Sequence, residues 1–535
     1  MKDEVRTIVE KIGGVVEEVK KSEIYVRIPQ QTVRTAARLL YDSEAYFKTC
    51  VGVDEREVNG FYTIYHIFGL DSQGVDIVLK VLVPEEDPQT SSIVSEVPAA
   101  DWCELEIQDL LGIKFGGRLT KRLVLPEDWP DGVYPLRKEF RYDEKPSRVI
   151  REELHEEAGI PVGPYHPALH EPEYFELYVE GEKVVDVAYR GFHVHRGIEK
   201  LAESPRFTYK QVPFLAERIC GICGFVHSTC YIMAVEKAAD IETPERAEFI
   251  RSIVLEVERL HSHLLWIGVA AHLLGYDAGF MHAWRIREHV MVLAEYLTGS
   301  RKTYGINVIG GVRKDLNVDK IDKTMKTIAQ VREEFKKLAD ALLSIPQIKS
   351  RAVGTGVLTK SEARALSVVG PVARASGLYR DVRKDYPYLA YGRVSFRVPL
   401  YTEGDNLARL LVRVEEVFES IEIVKQLVDL LPGGSVVVEE YDIPPGRKAV
   451  AAIEAPRGED VHFVITGLGR PYRWRVRAPT YQNIPALRAM LRGTPLADAP
   501  LTIASIDPCF SCTDRVLVVD IETGRKSFIK LVRGG

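Results

Sequence analysis

The sequence predicts an α+β protein built in two blocks: a small N-terminal α+β domain, then a large, mainly helical domain with β elements at its edges. Three observations predict it. β-branched and aromatic runs of strand length mark the first 145 residues, apolar residues recur at helical spacing between about 243 and 432, and strand-like runs return on either side of that helical stretch. At 535 residues the chain is too long for one ordinary core, so two or more domains are expected.

In the first block, Phe61 to Phe68 and Val75 to Val83 read as strands separated by an Asp71-Ser72-Gln73-Gly74 turn. Residues 139 to 160 are charged and interrupted by Pro146, which reads as a linker and gives a domain over 1–145, a linker over 146–160 and a second domain over 161–535. Tyr174 to Tyr189 is strand-like. Thr243-Pro244 opens a helix on which Ile250, Val254, Val257, Leu260 and Leu264 share one face, and Pro432-Gly433-Gly434 closes another that starts near Asp405. The charged helix from Asp319 to Leu342 reads as a solvated face, with a partner surface as the other reading. From Ser435 onward strand-like runs return, ending in Val516 to Asp520 and Lys526 to Val532 around Thr523-Gly524, a predicted hairpin.

Composition excludes several classes. Apolar residues make up 46% and charged residues 28%, an ordinary globular balance, and the net charge of −6 argues against a nucleic-acid partner. Seven cysteines in so long a chain do not form a disulfide framework and point to a reducing compartment. The N-terminal MKDEVRTIVEKIGG lacks the basic start and apolar centre of a signal peptide, and no apolar run reaches the 18 or so residues of a membrane span. Attachment to a membrane is therefore expected only through partner subunits. Ile309-Gly310-Gly311-Val312 lacks both the Lys-Ser/Thr ending and the glycine spacing of phosphate loops, so it reads as a turn or a close packing point.

Four of the cysteines form two Cys-x-x-Cys pairs, Cys220/Cys223 and Cys509/Cys512, a soft sulfur set suited to zinc, iron-sulfur or a thiolate-loving metal such as nickel. The pairs stand 286 positions apart, whereas those of a zinc ribbon lie roughly 15 to 20 apart. Spacing alone favours a buried catalytic or redox metal and leaves structural zinc and unconnected thiols as alternatives.

The contexts of the pairs, Glu217-Arg218-Ile219-Cys220-Gly221-Ile222-Cys223 followed by His227, and Asp507-Pro508-Cys509-Phe510-Ser511-Cys512-Thr513-Asp514-Arg515, resemble the two signatures of nickel-iron hydrogenase large subunits. More narrowly, the chain resembles the complex I-related, energy-converting branch of that family, of the formate hydrogenlyase or hydrogenase-4 type, over nearly its whole length. Asp101-Trp102-Cys103-Glu104 through Leu125-Pro126-Glu127-Asp128-Trp129 to Pro135-Leu136-Arg137-Lys138 resembles the complex I 30-kDa subunit, whose role is docking.

The resemblance implies that Cys220 and Cys509 are terminal thiolates on nickel, while Cys223 and Cys512 bridge nickel to an iron carrying carbon monoxide and cyanide. Cys509 is the implied first proton acceptor. His227, four residues after Cys223, would share its helical face and hydrogen-bond a bridging thiolate. An isolated histidine or a Pro-Gly-turn arginine would ordinarily be structural, but Arg457, in Glu454-Ala455-Pro456-Arg457-Gly458, matches the family's arginine over the open coordination position, with Asp507 as its partner. Glu171 occupies the place of the proton-relay glutamate, with Glu173 as its competitor. Glu199 matches a ligand of a second ion, magnesium or iron, although Arg515 stands where the family has a terminal histidine. Residues 516–535 are either a maturation tail or a retained element.

Cys50, Cys103 and Cys230 read as isolated from one another, so no iron-sulfur cluster is expected in this chain. The implied partners are a small subunit with a [4Fe-4S] cluster, ferredoxin-like subunits, antiporter-like membrane subunits and maturation proteins, on the cytoplasmic side of the membrane. The implied activity is reversible reduction of protons to hydrogen. The rival reading is a quinone-module subunit of complex I, because Gly163-Pro164-Tyr165-His166-Pro167 and His193-Val194-His195-Arg196-Gly197 resemble that family too.

Overall fold

The computed structural model describes residues 3–118, 121–147, 160–162, 173–192, 195–302 and 304–510. Residues 148–159 of the expected linker, residues 163–172 with Glu171, and everything after Phe510, including Cys512 and the predicted hairpin, lie outside them.

The first block contains α1 (Asp3–Ile12), β1 (Val15–Val19), β2 (Glu23–Arg27), α2 (Val33–Asp42), β3 (Tyr46–Glu55), β4 (Phe61–Leu70), β5 (Val75–Pro84) and α3 (Asp101–Leu111). Its sheet has the order β1-β2-β5-β4-β3, with β2 and β5 parallel and the other neighbours antiparallel. Every residue of β3 is buried. That requires cover on both faces. Ile64 and Phe68 join Val33, Ala36 and Ile107 in a core under the helices, while Val51, Tyr65, Ile67 and Val78 pack against Val450, Val461, Phe463 and Ile465 of the second block.

The second block begins with a hairpin, β6 (Tyr174–Glu180) and β7 (Lys183–Arg190), with Ile160–Val162 pairing on the β6 side. The strand-like run from Tyr174 to Tyr189 is thus two strands, broken at Gly181, whose φ of 59° suits a turn glycine. Long helices follow: α4 (Gly224–Ala239), α5 (Glu245–Leu273), α6 (Asp277–Thr298), α7 (Val318–Ser344) and α8 (Asn406–Asp429). α8 starts where Asp405 accepts a hydrogen bond from Ala408 N–H at 2.8 Å, a side-chain cap on an otherwise unpaired amide. α5 is buried along almost its whole length and contacts α6 and α8, which makes it the axis of the helical layer. α7 buries Ile328, Val331, Phe335 and Leu338 and turns its charges to solvent.

An antiparallel meander of β8 (Lys448–Ala455), β9 (Gly458–Thr466) and β10 (Pro471–Arg477) then lies between α4 and the first block's sheet. After it the chain departs from the strand-like expectation. Residues 479–505 form short helices ending in α9 (Ala499–Ser505), because long-range contacts rather than local periodicity hold them: Trp266 Nε1 donates to Ala504 O at 2.6 Å, and Arg409 Nε to Ser505 Oγ at 2.9 Å. Asn307–Val308 and Gly311–Val312 form a tight two-stranded turn. No described helix is long and apolar enough to cross a membrane.

Candidate metal centre

Three of the four paired cysteines fall within the described residues, and their sulfurs converge. Cys220 Sγ lies 3.0 Å from Cys223 Sγ and 3.1 Å from Cys509 Sγ, the latter across 289 positions of sequence. A disulfide would hold two sulfurs at about 2.05 Å, so these atoms are neighbours rather than bonded partners. All three cysteines are at most 2% exposed.

The local chain explains the convergence. Cys223 is the N-cap of α4, and the N–H groups of Ile222 and Cys223 point at Cys220 Sγ from 3.2 and 3.1 Å. Amides at a helix start favour negative charge on the sulfur they face. Glu258 of α5 accepts from the N–H groups of Phe225 at 2.9 Å and Val226 at 3.0 Å, fixing the first turn of α4. Burial pushes the Glu258 carboxyl up to about 8, against the pull of Lys302. Lys302 Nζ in turn donates to Ile222 O at 3.0 Å and stands 2.9 Å from His261 Nε2. Cys509 follows Asp507, whose φ of 54° turns the chain after α9, and its N–H donates to Thr480 Oγ1 at 3.1 Å.

Arg457 sits at the tip of the β8–β9 hairpin. Its Nε donates to Asp507 O at 2.7 Å, its Nη2 to Asp507 Oδ1 at 2.8 Å, and its Nη1 to Ser262 Oγ at 3.1 Å. Ser262 and Glu258 are one helical turn apart on α5, so one helix face supports both the arginine and the cysteine loop. Burial pulls the guanidinium down, but Asp507 and the three cysteines hold it well above its ordinary value, so it stays charged.

His227 is buried with Nε2 4.0 Å from Cys223 Sγ and Nδ1 2.9 Å from Asp460 Oδ2. Burial lowers its affinity for a proton, and Asp460 reverses that and raises it. His462 Nε2 stands 3.2 Å from the same carboxylate oxygen. Asp460, His462, Glu258, Lys302 and Ser262 were not singled out by sequence reasoning. The signal for Asp460 and His462 was their two-residue spacing immediately after Arg457, which places both on one face of β9.

Glu199 is placed elsewhere. Its Oε2 accepts from Arg473 Nη1 at 2.7 Å, and its Oε1 lies 3.3 Å from Arg475 Nη1 and 3.1 Å from Val476 N. Where a second cation was expected, two guanidinium groups supply the positive charge. Glu173 is fully buried. The expectation that Cys50 and Cys103 are isolated is corrected: strand β3 and helix α3 bring them together, and they line one small cavity with Arg475. The neighbouring Cys50 thiol, with Arg475 beside it, lowers the Cys103 thiol to about 6 against the cost of burial. Cys230 donates to Ala451 O at 3.5 Å and Asp460 O at 3.6 Å.

Comparison with known proteins agrees with this geometry. The family "Nickel-dependent hydrogenase" matches residues 196–276, "Respiratory-chain NADH dehydrogenase, 49 Kd subunit" matches 274–450 and 435–515, and the corresponding "30 Kd subunit" matches 26–146. The chain is 46% identical to formate hydrogenlyase subunit 5 of Escherichia coli K12 over 508 residues, covering 92% of this chain and 88% of that one. It is 44% identical to hydrogenase-4 component G of the same organism, covering 90% and 86%. A solved structure of the membrane-bound sulfane sulfur reductase, an archaeal respiratory membrane complex, aligns one chain at a TM-score of 0.64 and 34% identity, over 67% of this chain and 98% of that one. The chain belongs to the family of complex I-related, energy-converting nickel-iron hydrogenases, as the large catalytic subunit with a fused domain like the complex I 30-kDa subunit.

Proposed function

We propose that this chain catalyses the reversible reduction of protons to hydrogen at a nickel-iron centre, within a membrane-associated complex that supplies electrons through a partner iron-sulfur subunit. The convergence of Cys220, Cys223 and Cys509 carries the reading. Two sulfurs held 3.0 and 3.1 Å from that of Cys220 in a buried site, faced by helix-start amides and a charged arginine, make a donor set fit for a thiophilic redox metal. In this reading Cys220, Cys223, Cys509 and Cys512 would together hold a nickel-iron group whose iron carries carbon monoxide and cyanide. When bound, that group supplies the two-electron redox chemistry.

The remaining work belongs to the chain's own residues. Arg457 keeps its charge at any working pH and is anchored on Asp507, so it presents a fixed positive edge to the sulfurs without donating a proton to the reaction. Burial of the cysteines excludes bulk water, so protons must travel on side chains. Cys509 Sγ takes the first proton and Glu171 passes it outward, with Glu173 as the neighbouring carboxyl. No second ion is assigned to Glu199, because Arg473 and Arg475 already engage both its oxygens.

Three cysteines remain outside the two pairs, too few for a four-thiolate cluster, so electrons enter from a separate subunit. That subunit carries a [4Fe-4S] cluster; ferredoxin-like and antiporter-like subunits complete the assembly on the cytoplasmic face of the membrane, after maturation proteins have loaded the metals. Infrared spectroscopy of the purified complex, with metal quantification, tests the reading. Nickel and iron together with carbon monoxide and cyanide bands support it. Zinc alone would make the site a structural one, and absence of all metal would favour the quinone module.

A further inference from the structure

Behind Cys223 stands a row of side chains in which the position of the His462 proton follows from chemistry alone. Trp474 Nε1 lies 3.2 Å from His462 Nδ1, and an indole N–H can only donate. His462 Nδ1 is therefore the acceptor, and the ring's proton sits on Nε2, which faces both Asp460 Oδ2 at 3.2 Å and His227 Nδ1 at 3.4 Å. The same oxygen stands 2.9 Å from His227 Nδ1, which leaves His227 Nε2 turned toward Cys223 Sγ at 4.0 Å.

Packing leaves the row little freedom. Asp460, His462, His227 and Trp474 are fully buried. The two imidazole rings stack with centroids 5.7 Å apart, and Trp474 closes the end edge-on to His462 at 5.6 Å. Alternation along β9 sends Val461, Phe463 and Ile465 into the first block's sheet, so Asp460 and His462 face α4, the helix that carries His227. A buried carboxylate costs several kcal/mol in lost hydration, and an apolar residue on that strand face would avoid the cost. Its placement between two imidazoles, one of which reaches a cysteine of the metal centre, gives it a task beyond packing.

We propose that Asp460 is a positioning residue for the reaction: it holds the His227 ring through Nδ1 so that Nε2 stays aimed at the Cys223 sulfur, while His462 and Trp474 fix the carboxylate from the other side. The charge and hydrogen bonding felt by that sulfur then depend on a strand residue whose carboxylate touches none of the metal-centre cysteines. Such outer partners of metal ligands change affinity or activity by about 10- to 100-fold when altered.

The inference rests on the nickel-iron reading, and one set of spectra separates the two. Infrared spectra and nickel and iron contents are recorded on purified whole complex carrying wild-type chain, Asp460→Asn or His462→Gln. Asp460→Asn is expected to retain nickel and iron, to shift the iron-bound carbon monoxide and cyanide bands, and to lower hydrogen evolution about tenfold. His462→Gln, whose amide can still donate to Asp460, is expected to keep the bands near wild type. Native band positions in Asp460→Asn would overturn the inference while leaving the nickel-iron reading standing; absence of the bands from wild type would fail that reading itself. A third ion per wild-type chain that Asp460→Asn loses would also overturn it, by making His227, Asp460 and His462 ligands of that ion. Should Asp460→Asn not assemble, Trp474→Phe removes the indole N–H together with one ring of the indole: a band shift with nickel and iron retained supports the inference, and native positions refute it.

Discussion

Arg457 and Asp507 lie 50 positions apart in sequence and meet through two hydrogen bonds, Nη2 to Oδ1 at 2.8 Å and Nε to the backbone carbonyl at 2.7 Å. The fork ties the β8–β9 hairpin to the segment that delivers Cys509. A lysine would keep the charge and lose the fork. Hydrogen bonds to charged groups are worth about 1.5–3 kcal/mol, so Arg457→Lys is expected to lower hydrogen evolution roughly 10- to 100-fold with nickel retained. Undiminished activity in a metal-replete variant would remove Arg457 from the chemistry.

The cysteines divide into two groups by what surrounds them. The sulfurs of Cys223 and Cys509 both lie against that of Cys220, whereas Cys50 and Cys103 meet between β3 and α3. Cys509→Ser is expected to abolish most nickel binding, and Cys50→Ala to leave nickel content unchanged. Metal analysis of the two purified variants decides between this division and a scheme in which all thiols contribute.

Much of this was legible because it was local. The strands at Phe61 and Val75 and the helices at Glu245 and Asn406 announce themselves through period, turn and cap, and each signal acts within a few residues. The cysteine pairs were legible because their ligand spacing is short, and Arg457 because it stands in a recognisable turn. What was hidden depends on distant parts of the chain. Asp460 and His462 look like the solvated face of a strand until α4 covers them, Glu199 looks like a cation ligand until β10 brings two arginines, and Cys50 meets Cys103 only through packing of helix on strand.

The seam between the two blocks carries a buried charge. Lys48 Nζ is fully enclosed, 2.7 Å from Asp76 Oδ1, 3.6 Å from Glu459 Oε1 and 3.9 Å above the Tyr386 ring. Glu459 keeps Arg380 and Arg477, but removing Lys48 leaves the buried Asp76 carboxylate without its ion-pair partner, at a cost of about 3–5 kcal/mol. Lys48→Met is therefore expected to lower the urea midpoint, and adding Asp76→Asn to recover part of the loss. Full additivity of the two substitutions would contradict the coupling.

His66 links acidity to stability far from the cysteines. It lies on β4, on the strand face covered by the helices, and burial alone pulls it down to about 4. Its folded value is depressed, so the unfolded chain takes up the proton first as pH falls. The neutral ring's contribution is complete above about 6.5 and is lost as pH drops toward 4, by up to about 3 kcal/mol. His66→Met is expected to flatten the stability profile between those limits, measured as urea midpoints at pH 7 and pH 5. An unchanged slope would assign acid sensitivity to other groups.

Gly370 offers the sharpest test of how the hairpin tip is held. Its φ of 67° lies where side chains are rarely accommodated, and a Cβ there would collide with the Arg457 carbonyl and the Gly458 Cα. Both obstacles are backbone, and a Cβ on Gly458, at φ 125°, would in turn meet the Gly370 nitrogen. Neither can yield without moving Arg457, because the arginine's guanidinium is pinned to Asp507 and Ser262. Strain of this kind costs about 1–3 kcal/mol, and a displacement of about 1 Å in a positioned group can lower a rate about 100-fold. Gly370→Ala is therefore expected to fold with a reduced urea midpoint, to bind nickel, and to lose hydrogen evolution at least tenfold, in step with Arg457→Lys. Equal loss of activity and nickel would instead mean that the hairpin is needed to assemble the centre rather than to orient the arginine over it.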